Sequence, residues 1–482
     1  MSNQENNINV SEVLTDFSMS LGYDQLSPEA IVEAKLMLLD VLGVAIVGTE
    51  GKPCSIVREW VKHLGGPEES TVIGGGFKAP AVNSVIANGI ALRYPEYCGH
   101  LQTKDTLIPI HCEESVPAIL AMTEKLGLGG KDFITAVVLA AELQGMIGMV
   151  ANMESQCGIR HTTASIYVIP LVIGKLLGLS REQMINAFGI SGSFGLTLHQ
   201  CHSGEHVVPV RDIVYGLGAS NGIRAVELAS MGFEGPKEVF EGEWGFLRAL
   251  GVEGIRARQR LPKLLEKRNG YLINKYGHKM RVGDGTIQSA AQSILDIVRT
   301  NSINPKNVEV VKIFQQGKNI YEALENPARK YPINKEDADH SLWYVCARAL
   351  LDKDLQYPEQ FTDAKIKDPE VIKMIDKIKF YVDPELEKEA LELGPPAAPG
   401  YAEVHLRDGT VYRSKKVKYV DGYGPLKSDK AIKEHFVALS TKYVSRDIAD
   451  ELLDLVDNLE GVQNMAAVMD KVRFLGGGSL SV

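Results

Sequence analysis

One polar connection, 93–115, separates two apolar stretches of helical spacing: Arg93-Tyr-Pro-Glu-Tyr-Cys-Gly-His-Leu-Gln-Thr-Lys-Asp-Thr-Leu-Ile-Pro-Ile-His-Cys-Glu-Glu-Ser115. A polar connection of this length inside a compact domain is uncommon unless it is functional or disordered, and this one is not of low complexity. It carries Arg93, Glu96, His100, Lys104, Asp105 and His111. A solvated surface loop is the plain alternative. Three further polar clusters recur along the chain. Cys157-Gly-Ile-Arg-His-Thr-Thr holds Arg160 and His161 just before an apolar helix that Thr162 or Thr163 could cap. His202-Ser-Gly-Glu-His-Val-Val-Pro-Val-Arg-Asp holds Glu205, His206 and Arg211. Asn274-Lys-Tyr-Gly-His-Lys-Met-Arg holds Lys275, His278, Lys279 and Arg281. Histidine is the natural acid or base near neutral pH. Arginine grips a carboxylate through a two-pronged fork. Several of each on loops over an apolar floor point to proton transfer on a small polyanion. A single histidine would read as a structural hydrogen-bonding residue; the constellation carries the inference.

The elements that must position these residues are mostly helical. Ser27-Pro-Glu-Ala is a helix start, with Ser27 as cap and Pro28 in the first position. The helix that follows, to residue 47, is apolar nearly all round at Leu36-Met-Leu-Leu-Asp-Val-Leu-Gly-Val-Ala-Ile-Val, so other helices must bury it. Helical spacing recurs at 10–21, 59–64, 81–92, 115–126, 131–153, 163–177, 181–188 and 218–231, often closed by glycine. The character changes near residue 270. A helix is expected over 284–300 and another over 337–351, with strands at 308–314 and 377–382 and a hairpin turning at Asp408-Gly409. Helical spacing returns after Ser428. The expected fold is mainly α: a large all-helical domain, 1–270, completed by 416–482, with a smaller α/β (α+β) lid domain, 271–415, inserted toward the C-terminal third. Residues 1–9 and the Gly476-Gly-Gly-Ser end read as flexible tails.

Composition narrows the function. The 482 residues carry a net charge of −9, which argues against a nucleic-acid surface and gives no sign of binding an anionic membrane. No signal peptide is read at the N-terminus. The longest apolar stretch, 166–179, is too short to span a bilayer and contains Lys175. The six cysteines lack any C-x-x-C pair, which suits a reducing cytosol and gives no metal spacing. His202 and His206 have helical ligand spacing, but Gly204 lies between them, and no metal is assigned. There is no dinucleotide fingerprint or phosphate loop. Gly189-Ile-Ser-Gly-Ser-Phe-Gly is not a nucleophile elbow, since it continues a helix.

Several ordered pieces resemble the MmgE/PrpD family of 2-methylcitrate dehydratases, cis-aconitate decarboxylases and iminodisuccinate epimerases. They are Leu39-Asp-Val-Leu-Gly-Val-Ala, Asn88-Gly-Ile-Ala-Leu, Gly158-Ile-Arg-His-Thr, Arg211 through Gly216, Gly232-Phe-Glu-Gly-Pro, His340-Ser-Leu-Trp-Tyr-Val and Gly424-Pro-Leu-Lys-Ser. The resemblance implies a helical body covered by an α/β domain, a homodimer, a site between the domains, small di- or tricarboxylate substrates and no cofactor. It places His111 at the histidine of a His-Pro-Ser motif, here His-Cys-Glu, and His161 at the histidine before a buried helix. Arg211 stands where a lysine is usual, Asn274 or Lys275 at another site lysine, and Tyr321 at a site tyrosine. The family's Asp-Tyr/Phe-Asp/Asn-Asp is replaced by Arg93-Tyr-Pro-Glu96, which inverts the local charge.

The expected activity is that of a cofactor-independent lyase of the carbon–oxygen (hydro-lyase) type, located in the cytoplasm. His111 or His161 would move a proton beside a carboxylate, and Arg93, Arg160, Arg211 and Tyr321 would bind substrate. Lys275 or His278 would stabilise charge or protonate a leaving group. A hydroxyl protonated by Glu96 or His100 would make the reaction a dehydration. A second base would make it an epimerisation, and a departing carboxylate a decarboxylation. The alternative of another class is a non-catalytic binding or scaffold protein that keeps the fold.

Overall fold

The computed structural model describes residues 9–474 apart from 102, 107–109, 152, 154–157, 253 and 267–269. Cys157, the tail at 1–8 and the Gly476-rich end therefore lie outside the described residues; Asn9 caps the first helix, accepting from Glu12 N at 3.2 Å.

The fold is mainly helical. Pro28–Gly48 starts as its sequence dictates, with Ser27 Oγ accepting from Ala30 N at 3.3 Å. Around it pack Ala81–Arg93 and, from the far end of the chain, Asp429–Ser440 and Arg446–Asp457. Gly130–Val150 is long and apolar enough to cross a membrane by length and composition, more so than the 166–179 stretch singled out above. Its apolar window is wholly buried within the protein, so here its hydrophobicity serves the core.

The crossing that matters for the site joins Ala81–Arg93 to Val210–Ser230. The two run antiparallel: Ser220 Oγ donates to Val82 O at 2.6 Å, and Gly89 faces Gly216. A Cβ on Gly216 would lie 2.5 Å from Ile86 Cα and 2.8 Å from its carbonyl oxygen. Those are backbone atoms and cannot turn aside. This approach brings Arg93, at the end of one helix, to Arg211 and Tyr215, at the start of the other. A Gly216→Ala variant is expected to lose about 1–3 kcal/mol of stability, read as a lower thermal midpoint. A parent-like melt would mean that the helices cross with more room than this. Val210–Ser230 begins eight residues ahead of the predicted 218, because Pro209 acts as the N-cap and Arg211 falls in the first helical turn.

The C-terminal part contains a four-stranded sheet in the order Ile378–Val382, Val308–Gln315, Gly400–Leu406, Val411–Arg413. The first pair is parallel and the others antiparallel, with Val311 opposite Ile378 and Val404, and the predicted turn at Gly409 in the left-handed region (φ +86°). Ala402, Val404 and Leu406 alternate inward, as a strand with one covered face requires; the Gln288–Thr300 helix packs on Gly400–Leu406.

Candidate active site

Short pairings fold the polar clusters onto one another. His100–Leu101 pairs antiparallel with Tyr276–Gly277, and Leu101 also bridges Ile110. The loop thus doubles back, setting the His100 and His111 rings 6.1 Å apart. Ile159 bridges Leu198, which joins the second cluster to the third. His111 and His161 end with ring centroids 4.8 Å apart, and the Tyr215 ring lies 6.3 Å from His111.

His111 Nδ1 donates to the carbonyl of Gly99, the tautomer assigned from that acceptor, and leaves Nε2 as a lone pair. His161 Nε2 lies 3.8 Å from Glu114 Oε1. Burial pushes the Glu114 carboxyl well above the ordinary range, and neighbouring Glu113 adds to the rise against the bond to Tyr215 and the charges of Arg93 and Arg160. His100 is pushed down to about 3 by burial and then by His111 and Lys279; it is neutral and meets Tyr423 Oη at 3.2 Å.

Glu96 is the charged hub. Its carboxylate accepts from Arg93, from Arg211 and, at 2.9 Å, from Lys279. Burial alone would raise its pKa, but Arg211, Arg93 and Lys279 overwhelm that and hold it well below the usual range. Glu96 is therefore a fixed anion and cannot protonate a departing hydroxyl, as the sequence reading had it do. Arg93 lies 5.6 Å from the Tyr215 ring, and Arg211 donates to Asp212 at 2.9 Å. Arg93 Nε and Arg211 Nε are buried with no hydrogen-bond partner among the described residues. Arg160 is buried too, and its charge acts on both Glu114 and His202.

Three expected site residues are placed elsewhere. Lys275 is exposed, while Lys279, one helical turn's worth of sequence later, is 2% exposed and on Glu96. Tyr321 is 66% exposed on the Gly317–Leu324 helix. His278 is buried with both ring nitrogens engaged, Nδ1 on Asp40 at 2.6 Å and Nε2 on Glu33 at 2.9 Å. It pins its segment to the Pro28–Gly48 helix and has no nitrogen left for a substrate. Lys104 and Asp105 are exposed, and His206 bonds Asp337 at 2.7 Å.

His278 yields a pH prediction. Burial lowers its pKa, but the bonds to Asp40 and Glu33 win and raise it to about 9. The unfolded value is about 6.5. A folded pKa above the unfolded one gives stability that is complete below about pH 6.5 and is lost as pH rises through about 9. The stability gap between the parent and a His278→Gln variant should shrink over that interval in urea melts. An unchanging gap would refute the charged pair.

Residues 12–254 match the MmgE/PrpD N-terminal domain and residues 284–461 the MmgE/PrpD C-terminal domain. The chain belongs to the MmgE/PrpD family. Cis-aconitate decarboxylase of Homo sapiens is 24% identical over 471 residues, covering 92% of this chain and 90% of that protein. The 2-methylcitrate dehydratase of Escherichia coli (strain K12) is 23% identical over 455 residues, covering 89% and 90%. Cis-aconitate decarboxylase of Aspergillus terreus is 22% identical over 488 residues, covering 96% and 95%. The positive charge of Arg93 is answered three residues later by Glu96.

Proposed function

We propose that this protein is a lyase of the dehydratase type that acts on a small di- or tricarboxylate by removing a proton beside a carboxylate. The observation that carries the reading is the His111–His161 pair, 4.8 Å apart, joined to a buried cluster of cations through Tyr215, whose ring lies 6.3 Å from His111 and 5.6 Å from Arg93; Arg93, Arg211 and Lys279 meet on Glu96. His111 Nε2, with its other nitrogen tied to Gly99, is the base. The unpartnered Nε–H groups of Arg93 and Arg211 suit a substrate carboxylate. Charge that develops on the carboxylate as the C–H bond breaks is stabilised by the same cations. Every step is assigned to side chains, so the reading calls on no metal or organic cofactor. The names of the relatives support the substrate class. In the same reading 271–415 is the lid, contributing Lys279.

The test is NMR in D2O with 2-methylcitrate and with cis-aconitate. Elimination of water with deuterium washout beside a carboxylate is the expected result. Loss of CO2 would move the reaction to decarboxylation, and washout without net change to epimerisation. Silence with every polycarboxylate would leave only a binding role.

A further inference from the structure

Removing a hydroxyl requires an acid; Glu96 is a fixed anion, and His100, its pKa pushed down to about 3, does not hold the extra proton that an acid must give. We infer that His340, anchored by Asp339, is the proton donor to the departing oxygen, reaching the substrate from the C-terminal half of the chain while His111 works from the N-terminal half. This rests on the lyase reading above.

His340 Nδ1 bonds the Asp339 carboxylate and lies 3.0 Å from Glu336 O. Both are acceptors, so Nδ1 carries a proton and Nε2 is the free end. Asp339 is itself fixed: burial would raise its pKa, yet Lys335 and His340 hold it below the ordinary range. Nε2 is buried and has no hydrogen-bond partner among the described residues; the nearest carboxylate, Asp284, stands 4.0 Å off. Leaving a polar nitrogen unsatisfied in a protein interior is unfavourable, and functional sites are where such atoms gather. His111 and His340 differ in what holds Nδ1, a neutral carbonyl for His111 and a carboxylate for His340, and the acid role takes His340 as the imidazolium, with a proton on each ring nitrogen.

The position is as telling as the bonding. Glu96, Asp284 and His340 bring one ligand atom each within 4.8 Å of one another. Such a trio invites a cation reading, but Glu96 already accepts from Arg93, Arg211 and Lys279, and a metal ion there would meet three positive charges. Arg93 and Arg211, whose Nε–H groups are proposed above to take a substrate carboxylate, both bond this same Glu96, so Nε2 stands near the proposed binding groups. The neighbouring His202 ring, 4.9 Å away, is kept neutral by burial and by Arg160, and His199 lies beyond it at 5.3 Å.

The step balances without a further reactant. His111 Nε2 takes the proton, the C–H electron pair moves onto the adjoining carboxylate as an enediolate, and that pair then returns to form the new C=C bond. The C–O bond breaks, and the departing oxygen takes the proton of His340 Nε2–H and leaves as water. Solvent then removes one proton from His111 and returns one to His340.

The test has two arms. With 2-methylcitrate as substrate, His340→Gln should cut kcat by about 10²–10⁴-fold while proton exchange beside the carboxylate persists. Turnover within twofold of the parent would overturn the assignment. The second arm needs neither turnover nor a variant that folds. In histidine-¹⁵N-labelled parent protein, saturating citrate should shift the ring signals of His111, His161 and His340 but not of His278. Shifts at His111 and His161 without one at His340 would sink this inference alone. No shift at any of the three would sink the lyase reading with it.

Discussion

A His111→Gln variant is expected to lose about 10²–10⁴-fold in kcat and to melt near its parent. The loss should be large because Nε2 of His111 is the lone pair that the Gly99 bond leaves over. The melt should hold because glutamine can still donate to Gly99 O and fills a similar volume at a position 9% exposed. His161 stands close enough to compete for the role. The two are separated by deuterium exchange in single variants: the true base is the one whose loss stops washout beside the carboxylate. If both imidazoles serve one proton, the double variant should be little worse than the worse single, as expected for groups that act as a unit. Full additivity of the two losses would assign them to different protons. Washout undiminished in both singles would remove the pair from the chemistry.

Much of the fold was legible because it rests on local signals. Ser27-Pro28 starts a helix, glycines end several, and Asp408-Gly409 turns a hairpin, each through backbone chemistry confined to a few residues. The site was legible as a set of polar interruptions and much less as a set of partners. His278 drew attention as a candidate acid, yet its fate was set by Glu33 and Asp40. A sign of this lay in the sequence: two carboxylates seven residues apart share one face of a helix that is otherwise apolar, and such a face needs a buried cation. Lys275 and Lys279 sit in one short segment, and only the short pairing of Tyr276–Gly277 with the loop decides which is buried. His340 was visible only as part of a motif, because its meaning depends on the unfilled nitrogen and on Glu96 from the other half of the chain. Glu96 looked like a proton donor by residue type. Arg93, three residues away, was within reach of a spacing rule, but Arg211 and Lys279 come from distant segments that no spacing rule connects to Glu96, and the three together fix it as an anion.

Removing the Glu96 carboxylate should produce the largest loss of stability of any change in the site. Glu96→Gln leaves Arg93, Arg211 and Lys279 buried with no common counter-ion. Breaking a buried ion pair from one side costs about 3–5 kcal/mol, far more than the intact pair contributes, because the orphaned charge stays desolvated. If that is the cause, Arg93→Met combined with Glu96→Gln should be less damaging than the two losses summed, since it removes one of the stranded cations along with the anion. The pH dependence follows from the direction of the shift. A folded pKa held well below the unfolded value gives stability that is complete above about pH 4.5 and is lost as pH falls through the folded pKa, so the gap between parent and variant should narrow only in acid. The cage also makes a chemical prediction. Emptied of its own carboxylate, it should accept one from solution, and citrate should raise the melting temperature of Glu96→Gln more than that of the parent. An equal or smaller rise would mean that the three cations serve only Glu96, and that substrate carboxylates are held by Arg160 or elsewhere.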